Sequence, residues 1–182
     1  MCMFAEKIHA DLLIRPPTPA DAAAVHALIA RCPPLDTNSM YCNLLQCTHH
    51  RQTCALAETE SEPGDARAFV SAYRLPEHQD SLFIWQVAVD ERARGGGLGG
   101  RLISEILGRP ACRGVEYLRT TITLDNAASW AMFRSLAQAL EAETREHKLF
   151  DSEQHFGNRH ASEHELTIGP LDLSSITRKG VQ

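Results

Sequence analysis

The sequence predicts an α+β (α/β) protein. Its mixed, mostly antiparallel central sheet is flanked by helices and contains a central parallel strand pair. Three observations carry this. First, the apolar run Ser81–Val89 is followed by a charged loop, five glycines around one leucine (Gly95–Gly100), and then Leu102, Ile103, Ile106 and Leu107 at helical spacing. Second, the β-branched segment Val115–Thr123 and the helical stretch Ala127–Leu140 continue the order strand–helix–strand–helix, which requires a parallel pair. Third, two apolar runs, Thr53–Glu58 and Ala68–Leu75, flank the turn residues Ser61–Asp65, as in a hairpin.

Taken in order, Leu12–Pro16 reads as a first strand, stopped by two prolines. Thr18-Pro19-Ala20-Asp21 is a helix start, with Thr at the N-cap, Pro at the first helical position and an acid two residues later. The helix turns Ala24, Val25, Leu28 and Ile29 inward and ends before Pro33-Pro34. Asp36 or Asn38 then caps a short helix holding Tyr41, Leu44 and Leu45. Alternation along Ser81–Val89 places Phe83, Trp85, Val87 and Val89 on one face and Ile84, Gln86 and Ala88 on the other. Asp125-Asn126 caps the Ala127–Leu140 helix. Lys148–Phe150 and Leu166–Ile168 read as closing strands around a polar stretch, Asp151–Glu165, and the tail after Pro170 reads as loose. With no repeat and no linker, residues 1–182 read as one domain with an ordered core of about 12–170.

Composition narrows the class. The chain has 182 residues, 43% of them hydrophobic, which suits a globular protein with a substantial core. A net charge of −5 gives no reason to expect a nucleic-acid partner. No apolar run approaches the ~20 residues of a membrane span. Residues Met1–Asp11 lack the basic-then-apolar order of a signal peptide. Six scattered cysteines (Cys2, Cys32, Cys42, Cys47, Cys54 and Cys112) without a C-x-x-C pair read as reduced thiols in a cytoplasmic protein.

The glycine turn is the chemical centre of the sequence. A helix entered through glycines presents bare N–H groups and the positive end of its dipole, which suits a phosphate. A P-loop would need Lys and then Ser/Thr after the last glycine, where Arg101 and Leu102 stand. Gly95-x-Gly97-x-x-Gly100 matches the dinucleotide fingerprint literally, and Glu116 stands about twenty residues on, as that fingerprint asks. Two features count against it: the five residues Asp90–Arg94 separate strand from glycines, and Glu116 falls at the start of its apolar segment. The third match is Arg94-x-x-Gly97-x-Gly99. It resembles the Arg/Gln-x-x-Gly-x-Gly/Ala motif of the GNAT acetyltransferase superfamily, whose loop holds the pyrophosphate of acetyl-CoA. The opening strand, turn and helix resemble the start of many GNAT domains. Asn126-x-x-Ser129 and the residues after it resemble the helix motif that flanks pantetheine there.

Four further segments, spread over residues 14–168, resemble the diaminobutyrate acetyltransferases of ectoine biosynthesis. They are Leu35-Asp36-Thr37-Asn38-Ser39-x-Tyr41, Phe83–Asp90, Thr120–Ser129 and His160-Ala161-Ser162-Glu163. The resemblance implies a GNAT fold and transfer of acetyl from acetyl-CoA to the 4-amino group of L-2,4-diaminobutyrate. It also implies that Val87, Val89, Arg94, Gly95, Gly97, Leu98, Gly99, Gly100, Asn126, Ser129 and Phe133 bind acetyl-CoA. The family commonly dimerises, so a homodimer is expected.

That reaction sets the remaining demands. An alkyl ammonium, with a pKa of ~10, must lose a proton before it attacks. Asp36, His160 and Glu163 are the candidates to take it, the last two coming together if their i, i+3 spacing turns helically. The substrate is held by Asp36, Asn38, Tyr41, Trp85, His160 and Glu163: acids for its ammoniums, the Trp85 ring face for a cation, and a phenol for carboxylate or amine. Plain core packing is the competing role for Trp85. The backbone N–H of Val87 is the natural oxyanion donor. Many GNAT enzymes place a Tyr, as acid for the leaving thiolate, where Phe133 stands, so Tyr41 or solvent must act instead. His155, His160, Glu163 and His164 sit close in sequence, but with no H-E-x-x-H motif and no nearby cysteine we assign no metal. Competing functions are acetylation of another small amine, a non-catalytic acyl-CoA sensor, and a nicotinamide-binding module.

Overall fold

A computed structural model describes residues 12–172. Cys2, the N-terminal segment Met1–Asp11 and the tail beyond Asp172 lie outside the described residues. The described residues form seven strands and five α-helices: β1 (Leu12–Arg15), α1 (Ala22–Ala30), α2 (Met40–Thr48), β2 (Ala55–Thr59), β3 (Glu62–Leu75), β4 (His78–Val89), α3 (Leu98–Leu107), β5 (Tyr117–Thr123), α4 (Ala127–Ala139), β6 (Thr144–Phe150), α5 (Ser152–Phe156) and β7 (Glu163–Ile168). The sheet order is β1-β2-β3-β4-β5-β7-β6. β4 and β5 are the expected parallel pair; β1/β2, β2/β3, β5/β7 and β6/β7 run antiparallel. By compactness the chain divides into two units, residues 1–73 with 86–113, and residues 74–85 with 114–182. The break falls inside β4, between Trp85 and Gln86.

In the first unit, α1, β2 and β3 bury Val25, Leu28, Ile29, Leu56 and Phe69. α3 adds Leu98, Leu102, Ile103 and Ile106, all 2% exposed or less. Burying each such aliphatic side chain stabilises the fold by roughly 1.5–3 kcal/mol. Cys47 and Cys54 lie in the same interior, where burial pushes their thiols up to about 11 and about 12. They therefore stay protonated and pack as small apolar groups. Cys32 and Cys42 are likewise thiols outside any disulfide.

Arg15, at the end of β1, ties this unit together. Its guanidinium donates two 2.8 Å hydrogen bonds to the Asp21 carboxylate and one of 2.7 Å to Glu58. Asp21 also accepts from the Thr18 amide and hydroxyl. Residues Pro19–Asp21 form a 3-10 turn, and the α-helix begins only at Ala22. The Arg15 hydrogen bonds, outweighing the opposing burial, hold Asp21 down to about 2, and they lower Glu58 as well. A depressed carboxyl contributes stability above its unfolded value of about 4 and loses it as pH falls through the folded one. Stability from this cluster should therefore be intact above about pH 4 and fade toward pH 2. Arg15→Met leaves two buried carboxylates without a cation and should cost about 3 kcal/mol at pH 7 in urea unfolding. The pH sign should also reverse, because uncompensated buried carboxyls bind protons more readily than unfolded ones. A loss below about 1 kcal/mol, the scale of an exposed pair, would refute this.

In the second unit, β5 alternates, with Leu118, Thr120 and Ile122 buried. α4 turns Trp130, Phe133, Leu136 and Ala137 inward.

Several expectations are corrected. The β2–β3 turn is Glu60-Ser61, not Ser61–Asp65; Pro63 and Gly64 lie inside β3, where the register with β2 shifts and the Gly64 amide donates to Glu58 Oε2 at 2.8 Å. Ser39, rather than Asp36 or Asn38, caps α2, its Oγ accepting from the Cys42 amide at 3.0 Å. That helix buries Asn43, Gln46 and Cys47 and leaves Tyr41 and Leu44 exposed. The polar stretch after β6 contains α5, capped by Asp151. The closing strands are β6 and β7, and β7 lies between β5 and β6 in the sheet.

Candidate active site

In the first unit, the loop after β4 is built by local hydrogen bonding. Asp90 caps the 3-10 turn Glu91–Ala93 by accepting from the Arg92 amide at 3.0 Å. Its carboxylate also takes the Arg92 and Arg31 guanidiniums at 2.8 and 2.9 Å. Those cations, Arg92 first, hold the Asp90 carboxyl well below its ordinary range despite burial. The chain then turns through Gly95 (φ 89°) and Gly97 (φ 69°), left-handed positions that glycine adopts without the Cβ penalty. Gly97 is the N-cap of α3, and the first intrahelical bond comes from the Arg101 amide to the Gly97 carbonyl at 3.0 Å. The amides of Leu98, Gly99 and Gly100 therefore precede the helical ladder, at the positive end of the dipole. Gly95 and Gly97 are exposed, whereas Leu98 and Gly99 are buried. The Arg94 side chain folds back, its Nε donating to the Val89 carbonyl at 3.0 Å. Cys32 Sγ reaches the same oxygen at 3.4 Å. The Val89 carbonyl is therefore engaged within the chain.

The segment before α2 carries the next group. Asp36 and Tyr41 are exposed, Tyr41 at 67%, and Asn38 is half-buried with φ 52°. Asn38 Nδ2 donates to Gln86 Oε1 at 3.2 Å, and Gln86 Nε2 donates to the Asp36 carbonyl at 2.7 Å. The structure thus gathers Asp36 and Asn38 on Gln86, a residue that sequence reasoning placed on one face of β4 with Ile84 and Ala88, without a function. A polar side chain at a core position of a strand was the available signal.

In the second unit, alternation holds along β4 from Leu82: Leu82 and Ile84 are buried, whereas Phe83 is half-buried and Trp85 is 46% exposed. This overturns core packing as the role of Trp85. The parallel register with β5 runs from Ser81↔Tyr117 to Phe83↔Arg119 and stops there, although β4 continues. Asn126 caps α4, its Oδ1 accepting from the Ser129 amide at 3.1 Å. Trp130 Nε1 donates to the Thr123 carbonyl at 3.1 Å, fixing the start of that helix on β5. Phe133 is 3% exposed, so α4 presents neither a phenol nor much ring surface there.

His160 and Glu163 do come together, with Nε2 and Oε1 3.9 Å apart. The intervening turn is not helical, contrary to expectation: Glu163 opens β7 opposite Thr123. His160 Nδ1 lies 2.8 Å from the Ala161 carbonyl, an acceptor, so this nitrogen carries the proton. In the neutral ring Nε2 then presents its lone pair beside the Glu163 carboxylate, an arrangement able to receive a proton. His155 accepts from the Asp151 amide at 2.8 Å, and His164 Nδ1 lies 3.3 Å from Glu146. The three histidines thus engage separate partners. Among the described residues no group of three or more His, Cys, Asp or Glu is placed to hold a metal ion, and no helix is long and apolar enough to cross a membrane.

Comparison with known proteins identifies the family. The acetyltransferase (GNAT) family matches residues 22–137. The chain is 46% identical over 155 residues to the L-2,4-diaminobutyric acid acetyltransferase of Methylotuvimicrobium alcaliphilum, covering 85% of this chain and 88% of that one. It is 48% identical to the protein of the same name from Bordetella parapertussis, covering 87% and 84%. Among solved structures it is similar to a diaminobutyrate acetyltransferase from Paenibacillus lautus in complex with its substrate L-2,4-diaminobutyric acid and coenzyme A. That match has a TM-score of 0.81 and 32% identity, over 87% of this chain and 95% of that one.

Proposed function

The chain belongs to the acetyltransferase (GNAT) family and, within it, to the diaminobutyrate acetyltransferases, and on that premise we propose how it works. It transfers the acetyl group of acetyl-CoA to the 4-amino group of L-2,4-diaminobutyrate, giving N4-acetyl-L-2,4-diaminobutyrate, a step of ectoine biosynthesis. The observation that supports the acetyl-CoA half is the left-handed glycine pair that opens α3 after the short loop from β4. In this reading the amides of Gly95–Gly100 hold the pyrophosphate, Arg94 adds positive charge, and Val87, Val89, Asn126, Ser129 and Phe133 line the rest of the cofactor. Asp36, Asn38, Tyr41 and Trp85 bind diaminobutyrate.

The mechanism follows from charge. At neutral pH only about one amine in a thousand is unprotonated, so the enzyme must accept a proton. Glu163, with His160 Nε2 beside it, takes this proton. The freed nitrogen attacks the thioester carbonyl, and the Val87 N–H donates to the oxyanion. The nitrogen, cationic once bonded to carbon, gives its second proton to solvent as the C–S bond breaks and CoA leaves as thiolate. Phenylalanine at position 133 cannot protonate it, so Tyr41 or solvent does.

The direct test incubates the protein with acetyl-CoA and diaminobutyrate and follows free thiol. Turnover should exceed that with ornithine or lysine; equal rates would overturn the substrate assignment. Trp85→Ala should raise KM for diaminobutyrate by about three- to thirtyfold, the worth of a cation–π contact, and leave KM for acetyl-CoA within about twofold. Trp85→Phe should keep most of that affinity, and an unchanged KM in Trp85→Ala would remove the residue from the substrate site. We further propose a cytoplasmic homodimer whose two units act as one acetyltransferase domain, with no nucleic-acid or membrane partner. The family match across both units and the buried, protonated thiols support this reading.

A further inference from the structure

We propose that Gln86 is a positioning residue for diaminobutyrate, acting by fixing the segment that carries Asp36, Asn38 and Tyr41. The proposal rests on the reading above that this segment binds the substrate. Gln86 is 8% exposed and lies on the inward face of β4, among Ile84 and Ala88, which are wholly buried. An uncharged amide there has to satisfy both its donor and its acceptor or weaken the core. Both ends are used on one short segment: Nε2 on the Asp36 carbonyl at 2.7 Å, and Oε1 on Asn38 Nδ2 at 3.2 Å.

The segment needs an anchor. Asp36, Thr37 and Ser39 are exposed and belong to neither a helix nor a strand. Asn38 has φ 52°, a left-handed position that asparagine tolerates better than most residues, and its side chain is held there by Gln86. Ser39 follows at once as the N-cap of α2, whose second residue is Tyr41. One buried side chain therefore sets the path of the backbone at Asp36, the left-handed turn at Asn38 and the start of the helix that presents Tyr41. Gln86 itself reaches no reacting atom in this account.

The test compares Gln86→Leu and Gln86→Glu with the wild type, measuring KM for each substrate, kcat and Tm. Leucine keeps the volume and removes both hydrogen bonds. Glutamate keeps the acceptor for Asn38 and loses the donor to Asp36. Expected is a rise of about tenfold in KM for diaminobutyrate with leucine and a smaller rise with glutamate, KM for acetyl-CoA staying within about twofold. An unchanged KM for diaminobutyrate overturns the proposal. So does a parallel rise in both KM values, which would mark Gln86 as support for β4 alone. If the leucine variant does not fold, the glutamate variant decides by the same criteria. Asp36→Asn separates the layers: if it leaves KM for diaminobutyrate unchanged in a wild-type background, the substrate-segment reading fails whatever Gln86 does.

Discussion

In Glu163→Gln, kcat/KM for diaminobutyrate is expected to fall by about 10²- to 10⁴-fold at pH 7, the usual contribution of a positioned base. Glutamine has the size of glutamate but neither accepts the ammonium proton nor stabilises a charged His160. The strand should be unaffected, because Glu163 enters β7 through its backbone register with Thr123. The decisive readout is the pH profile. Without an acceptor the variant can use only amine that arrives unprotonated, so its kcat/KM should climb about tenfold per pH unit up to ~10. The wild type should flatten well below that. A second comparison separates the two partners of the pair. His160→Phe should cost less than Glu163→Gln if the carboxylate takes the proton. If the order is reversed, His160 Nε2 is the acceptor and Glu163 only orients or charges it. A glutamine variant with wild-type kcat/KM at pH 7 would eliminate the pair from the chemistry.

The reach of sequence reasoning differs from segment to segment, for physical reasons. The β4–glycine–α3 unit was legible because each signal is local: alternation in the strand, left-handed turns only glycine takes cheaply, and apolar spacing in the helix. The same holds for Asn126, whose capping bond spans three residues. The segment Asp36–Ser39 was not legible in this way. All four residues are chemically able to cap a helix, and the choice of Ser39 goes with contacts to Gln86, which lies 48 residues beyond Asn38 and 50 beyond Asp36. The β2–β3 turn failed similarly. Pro63-Gly64 is strong turn chemistry, but Glu58 captures the Gly64 amide and the strand register absorbs the irregularity. His160 and Glu163 show a third case: the pairing was foreseen and the helix meant to produce it was wrong, because the second residue is drawn into the β5/β7 ladder. The position of β7 between β5 and β6 depends on strand pairing alone, and nothing in its six residues records it.

Gly97→Val is expected to raise KM for acetyl-CoA by at least about tenfold and to leave KM for diaminobutyrate nearly unchanged. The cause is backbone conformation rather than crowding within the chain. Gly97 has φ 69°, and a Cβ built there meets nothing within 4 Å. A left-handed backbone costs an ordinary L-residue about 1–2 kcal/mol, and a β-branched side chain fares worse. The loop can relieve that strain by rotating the peptide at the N-cap of α3. Rotation swings the very amides proposed to hold the pyrophosphate, so the relief is taken from cofactor affinity; about 1.4 kcal/mol of it is tenfold. Gly97→Ala tests the account, since it carries the same φ penalty with a smaller side chain and no branching. Titration with CoA alone should rank glycine above alanine above valine, and Tm should fall only slightly, because the site is exposed and unpacked. Equal CoA affinities for all three would show that the phosphate-binding amides do not depend on the left-handed turn. A loss confined to valine would instead point to direct contact between its side chain and the bound pyrophosphate.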